Sequence, residues 1–181
     1  RIWEWATDHP PIEFAQHAEA IRFAAFSPDG RRIVTASRDR TAQVWDVATR
    51  KPVGASMRHG HWVYQASFDR EGRRIVTASY DNKARVWDAE TGQLLLTLEH
   101  DAAVRSAEFS PDGRYVAAAC WDSSVRVWDT ATGKAFGPPL KHNSFVMHAA
   151  FSPDGHRLVT ASTHGVACLW DLSPAHWMPP S

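Results

Sequence analysis

The sequence predicts an all-β protein made of repeated four-stranded antiparallel units, and three observations predict it. Short apolar runs such as Tyr115–Cys120 and residues 125–128 are rich in Val and aromatics, and turn-forming clusters bound them, as in a strand meander. Phe-Ser-Pro-Asp-Gly starts at Phe26, Phe109 and Phe151, with a degraded copy, Phe-Asp-Arg-Glu-Gly, at Phe68. Trp-Asp recurs at Trp45, Trp87, Trp128 and Trp170, and a histidine at His17, His59, His100 and His142, every marker stepping by 42, 41 and 42 residues.

Each element follows from local chemistry. In Pro111-Asp112-Gly113 the proline pre-sets φ and the glycine accepts the conformation from which the next strand leaves. Asp122-Ser123-Ser124 marks a second turn, and the stretch from Asp129 to Gly133 a third. The first unit therefore has strands at 21–26, 32–37 and 41–46 and an outer strand at 52–57. The second reads 63–68, 74–79, 83–88 and 93–98, and the third 104–109, 115–120, 124–129 and 134–140. The fourth has 146–151, 157–162 and 166–171, then a tail whose Pro174, Pro179 and Pro180 forbid a regular outer strand. Upstream, Trp3-Glu4 stands 42 residues before Trp45 as a degraded Trp-Asp, and residues 12–16 read as a further outer strand.

A period of roughly 40–45 residues, with a histidine upstream and Trp-Asp closing a strand, resembles the WD40 repeat family. The resemblance covers nearly the whole chain and implies a β-propeller of four-stranded blades. Residues 1–16 then form the C-terminal half of an incomplete blade, followed by repeats at 17–58, 59–99, 100–141 and 142–172 and a tail at 173–181. The fourth repeat lacks its outer strand. Such propellers close as rings of about 4–8 blades, so the reading expects part of a seven- or eight-bladed propeller. Open end blades would otherwise invite self-association or pairing with the remaining blades. The regular spelling is similar to that of bacterial repeats, which often accompany signalling domains.

Composition narrows the function classes. Twenty Lys+Arg balance 20 Asp+Glu, so no whole-chain field favours nucleic acid or an acidic membrane. No apolar run is long enough to span a bilayer and there is no secretory signal pattern, which gives the expectation of a cytoplasmic protein. Cys120 and Cys168 lack metal-ligand spacing and read as reduced, buried thiols. Ten histidines are many, but four hold the repeat position and the others are scattered, so neither a metal nor another cofactor is expected.

Several residues imitate catalytic sets. His17, Ser37 and Asp39 would satisfy a triad search, as would His59, Ser79 and Asp81; His100, Cys120 and Asp122 mimic a nucleophilic thiol pair. Their recurrence once per unit argues for structure, because an active site needs one nucleophile at one cleft. The family resemblance implies a structural network: the turn aspartate holds the histidine, and the chain continues through a hydroxyl to Trp45, Trp87, Trp128 or Trp170. Ser37, Ser79 and Ser162 are the expected hydroxyls, with Cys120 weakening the link in repeat three. In repeat four His164 replaces the turn aspartate, so His142 should lose its carboxylate, blade four should be the least rigid, and a pH response near neutrality is expected.

Specificity should reside where repeats differ. Family geometry places two kinds of position around the upper mouth of the channel: the start of the innermost strand and the residue before the turn aspartate. These carry Trp62, Tyr64, Tyr80, Trp121, Phe145 and Met147, with Arg22, Arg38 and Arg105 beside them. Trp, Tyr and Arg are enriched at interface hot spots. For Tyr64 and Phe145, exposure on that face and packing between blades are both open. The expectation is a non-catalytic protein- or peptide-binding scaffold or sensor module. An enzyme with its site in the central channel is the competing reading, and a nucleic-acid platform a weaker one.

Overall fold

The structure, a computed structural model, describes residues 16–173. It contains 15 strands: β1 (Ile21–Phe26), β2 (Arg32–Ser37), β3 (Thr41–Asp46), β4 (Pro52–Arg58), β5 (Val63–Phe68), β6 (Arg74–Ser79), β7 (Lys83–Asp88), β8 (Leu94–Glu99), β9 (Val104–Phe109), β10 (Tyr115–Cys120), β11 (Ser124–Asp129), β12 (Leu140–Lys141), β13 (Val146–Phe151), β14 (Arg157–Ser162) and β15 (Ala167–Asp171). They form four antiparallel meanders, β1–β4, β5–β8, β9–β12 and β13–β15, each ordered as in the chain. The strand expected at Trp3 and all but the last residue of the one expected at 12–16 lie outside the described residues.

Four elements differ in a boundary from the sequence reading; β4 runs on to Arg58 and β15 starts at Ala167. The third outer strand is only two residues long, with an isolated bridge from Trp128 to Ala135 ahead of it. Gly137-Pro138-Pro139 separates the two pieces, and proline has no N–H for the ladder. β8 starts one residue later than expected because Asp88 N–H first closes the turn on Gln93 O.

Sheets stack face to face, so the core is three slabs between neighbours. Val34, Val44 and Met57 of the first sheet meet Val63, Ala66 and Ile75 of the second. Val76, Val86 and Leu98 meet Val104, Ala107 and Phe109, and Ala117, Val125 and Leu140 meet Val146, Ala149 and Leu158. Arginines stitch the lower ends: Arg32 donates to Gly72 O at 2.6 Å, and Arg74 to Gly113 O at 2.7 Å and to Asp69 at 2.9 Å. Among the described residues the first and fourth sheets share no extensive contact of the kind that joins neighbouring sheets. The outer side of the fourth presents Val159, Val166 and Leu169 to solvent. Val159 and Leu169 occupy the positions that Val34 and Val44 bury in the first sheet.

Gly92 has φ +74, and a Cβ there would lie 2.1 Å from the Ala55 carbonyl oxygen; Gly30 has φ +70 with nothing within 4 Å. Gly30→Ala should therefore cost about 1–2 kcal/mol for the left-handed backbone alone. Gly92→Ala should cost about 3 kcal/mol or more, because backbone must also move. Denaturant unfolding of both variants checks the ordering, and equal losses would contradict it.

Candidate interaction surface

One end of every sheet is built by the same backbone device. The residue after the second strand donates its N–H to the residue before the first: Arg38 to Ala20, Tyr80 to Trp62, Trp121 to Ala103 and Thr163 to Phe145. The first strand then skips one residue of its register, at Arg22, Tyr64, Arg105 and Met147. Such bulges re-aim the extra side chain. All nine residues expected on the upper face stand at one of three positions: after the second strand, before the first strand, or at the bulge.

Most of the nine meet. Trp62 and Tyr80 ring centroids are 6.1 Å apart, Tyr80 and Trp121 5.6 Å, and Trp121 and Phe145 5.7 Å in a stacked pair. Tyr64 fills the angle beneath, 6.1 Å from both Tyr80 and Trp121. The Arg38 guanidinium lies 4.7 Å from the Trp62 centroid and that of Arg105 4.8 Å from Tyr64. The strip thus runs across all four repeats. Tyr80 and Phe145 are 39% and 51% exposed, Trp62 and Trp121 are half-buried, and Tyr64 is buried, so packing is the outcome for Tyr64 and exposure for Phe145. Met147, at the bulge of the fourth sheet, is half-buried. His61, which the sequence reading passed over, wedges against Trp62 at 5.1 Å and Tyr80 at 4.7 Å. Its signal was its place between the repeat histidine and Trp62.

Beneath the strip lies the polar network, and its hydroxyl link is not the expected one. Trp45 Nε1 donates to Thr35 Oγ1 at 2.8 Å, His17 Nε2 lies 2.7 Å from the same oxygen, and His17 Nδ1 lies 2.8 Å from Asp39 Oδ2. Trp87, Thr77, His59 and Asp81 repeat the arrangement at 2.8, 2.7 and 3.0 Å. Ser37 and Ser79 instead donate to the carbonyls of Ala20 and Trp62 and accept the N–H of Asp39 and Asp81. They cap the turn and do not touch the histidine, so no Ser/His/Asp triad forms. Threonine and serine share one face of strand two, and the register against strand three sets the threonine beside the tryptophan.

Repeats three and four depart from this chain. Ala118 occupies the threonine position, so Trp128 Nε1 donates directly to His100 Nε2 at 3.2 Å. That assigns the proton to His100 Nδ1, which faces Cys120 Sγ at 2.9 Å. Asp122 does not bond His100; it accepts from Ser124 N–H at 3.0 Å and from its hydroxyl at 2.7 Å. In repeat four Trp170 and His142 both reach Thr160, at 2.9 and 3.0 Å, but His142 Nδ1 has only Cys168 Sγ at 4.0 Å. Ser162 turns to Val166 O.

Four repeats in one register, each closed by Trp-Asp and each folded into its own antiparallel sheet, decide the family. A family model described as WD domain, G-beta repeat, matches residues 9–46, 52–88, 92–129 and 139–171. The chain belongs to the WD40-repeat family. No curated protein matches it.

Electrostatics separates the WD40 scaffold from groups free to act. Burial works against ionised Asp81, but hydrogen bonds from His59, the Gly60 N–H and Arg85 hold it far below the usual carboxylate range. The His59–Asp81 contact is nevertheless not an ion pair of His59: burial lowers His59, and the cation on Asp81 is Arg85 at 2.8 Å. Burial, followed by the Arg126 charge, pushes His100 down to about 3, while burial pushes the Cys120 thiol up. A protonated, fully buried thiol beside a neutral imidazole is no nucleophile pair. Burial also lowers His142, so the pH response expected near neutrality moves to more acid pH.

Around the channel axis Phe23, Gln65, Ser67, Glu108 and His148 line an open cavity of about 610 Å³. Burial raises Glu108, a carboxylate the sequence reading overlooked because a single unrepeated charge inside a strand carries no motif. At the rim burial raises Tyr64 against the opposing charges of Arg105, Arg22 and Arg38. Two buried nitrogens there, Trp121 Nε1 and Arg38 Nε, have no hydrogen-bond partner. Leaving such a group unsatisfied costs about 1–3 kcal/mol.

Thr77→Val keeps shape and removes the shared oxygen, so unfolding free energy should fall by about 1–3 kcal/mol; the same change at Ser79 should act through the turn and leave the Trp87 indole environment unaltered by near-ultraviolet circular dichroism. Acid should destabilise the fold through His100. The unfolded chain takes that proton near pH 6.5, the folded one near 3, so stability is complete above about 6.5 and declines as pH falls, by about 1.4 kcal/mol per unit. His100→Gln should flatten that slope by one proton in denaturant titrations between pH 7 and 5. An unchanged slope would contradict the assignment.

Proposed function

We propose that this WD40 chain is a non-catalytic platform that binds a protein or peptide segment on the face carrying Trp62, Tyr80, Trp121 and Phe145. WD40 repeats are in general interaction scaffolds. The observation that carries the finer reading is the unbroken strip of rings contributed by separate blades, with Tyr80 and Phe145 exposed and two buried donors unused. Trp, Tyr and Arg anchors in a rigid setting bury large area at small entropic cost, which is how a few residues come to dominate an interface. Against a channel enzyme stands the chemistry: the catalytic look-alikes are bound into the scaffold, and Glu108 has no second carboxylate facing it for acid–base work.

We also propose that the uncovered side of the fourth sheet takes up a further blade, as its likeness to the buried sides of the other sheets supports. A role beside signalling domains in the cytoplasm fits such a module and remains part of the proposal.

Selection of a displayed random-peptide library against the chain tests the platform. Binding of the selected peptides should weaken at least tenfold, about 1.4 kcal/mol, on Trp121→Ala or Tyr80→Ala. It should be unaffected by Asp112→Ala in the turn at the opposite end. Peptides indifferent to both upper-face changes would overturn the proposal.

A further inference from the structure

We propose that the segment bound on this face is acidic: an extended peptide whose carboxylates pair with Arg22, Arg38 and Arg105 while its apolar residues rest on the rings. The inference rests on the platform reading and adds the chemistry of the partner.

The unpaired side chains of the strip are of one sign. Arg22, Arg38 and Arg105 have no carboxylate partner among the described residues, whereas Arg74, Arg85 and Arg126, set deeper in the sheets, all do. The carboxylates of the surrounding loops are already engaged. Asp39 accepts from Thr41 and the Ala18 N–H, Asp81 from Arg85 and the Gly60 N–H, and Asp122 from Ser124. Glu99 pairs with Lys83 and Asp101 with Arg126, leaving only exposed Glu19 before β1. Three arginines at this mouth therefore stand without a paired carboxylate among the described residues, in a chain whose charges otherwise balance.

The unused hydrogen-bond capacity has the same sign. Trp121 Nε1 and Arg38 Nε, like Arg126 Nε, are buried donors without an acceptor among the described residues, and oxygen lone pairs are what would satisfy them. Guanidiniums flattened on Trp62 and Tyr64 have their orientation already set, which favours carboxylate pairing. Ring-to-ring steps of 5.6–6.1 Å come close to the two-residue repeat of about 6.6 Å in extended chain, so alternate side chains can meet successive rings.

The same residue types could stack nucleic-acid bases, but the geometry favours peptide. Tyr80 and Trp121 meet edge to face at 85°, and the near-parallel pair, Trp121 and Phe145, is already in mutual contact. Among the described residues no open pair of parallel ring faces awaits a base.

Fluorescence anisotropy with the full chain tests the proposal. The probes are a labelled nine-residue peptide alternating Asp or Glu with Leu or Phe, its Asn/Gln isostere, its Lys counterpart and an oligothymidylate. The acidic peptide should bind at least tenfold more tightly than the isostere. Arg38→Glu/Arg105→Glu should abolish that preference and favour the Lys peptide, with the far-ultraviolet spectrum unchanged. Trp121→Phe, which keeps a ring and removes the donor, should weaken the acidic peptide several-fold. Equal binding of acidic and neutral peptides, still sensitive to Trp121→Ala, would overturn the acidic partner and leave the platform standing. Tighter binding of the oligonucleotide, or no binding of any peptide, would overturn both.

Discussion

A threonine hydroxyl placed between an imidazole and an indole is the constraint on which the rest of the structure depends. Thr35 and Thr77 sit in the middle strand of their sheets, almost without contact to solvent, and each must find partners or be destabilising. Trp45 or Trp87 comes from the next strand, His17 or His59 from the loop before the sheet, and Asp39 or Asp81 from the turn. One oxygen thereby ties together three segments that local propensity leaves independent. Connected polar networks of this kind rigidify because each bond is lost if any member moves.

Rigidity at that end is what the surface above requires. Asp81 is the residue after Tyr80, and Gly60, whose N–H it holds, stands two residues before Trp62. The turn that completes the network therefore also places the rings, and the bulge at Tyr64 directs a third ring against Tyr80 and Trp121. Sheet packing supplies the remaining order: the strip crosses four blades, so its continuity depends on the apolar slabs that fix each sheet against the next. An interface of preordered aromatic and arginine side chains loses little entropy on binding.

The repeat period, the strand pattern and the histidine and tryptophan of each blade were legible in the sequence, because they recur and because β-branched runs between turn residues have a direct physical reading. The two rings of surface positions could be named for the same reason: variation stands out against a repeating background. Side-chain direction within a strand was not legible. Ser37 and Thr35 are both hydroxyls two residues apart on one face, and only the register of β2 against β3 shows that Thr35 lies beside Trp45. Ala118 in repeat three consequently carried no warning, and Asp122 was assigned to a histidine it does not touch. The register shifts that turn Arg22, Tyr64, Arg105 and Met147 outward are properties of pairing between strands. So is the isolation of Glu108 in the channel.

The account's central claim is that the complete aspartate–histidine–threonine–tryptophan chain orders the upper turns, and that blades one and two therefore hold them more firmly than blades three and four. Native-state hydrogen exchange of four equivalent amides tests it most directly. Ala18 and Gly60 donate to turn aspartates at 3.1 and 2.8 Å, while Asp101 and Asn143 have no such bond among the described residues. Exchange at Ala18 and Gly60 should be protected by at least tenfold over Asp101 and Asn143, with Asn143 in blade four the fastest. Equal protection across the four blades would contradict the claim.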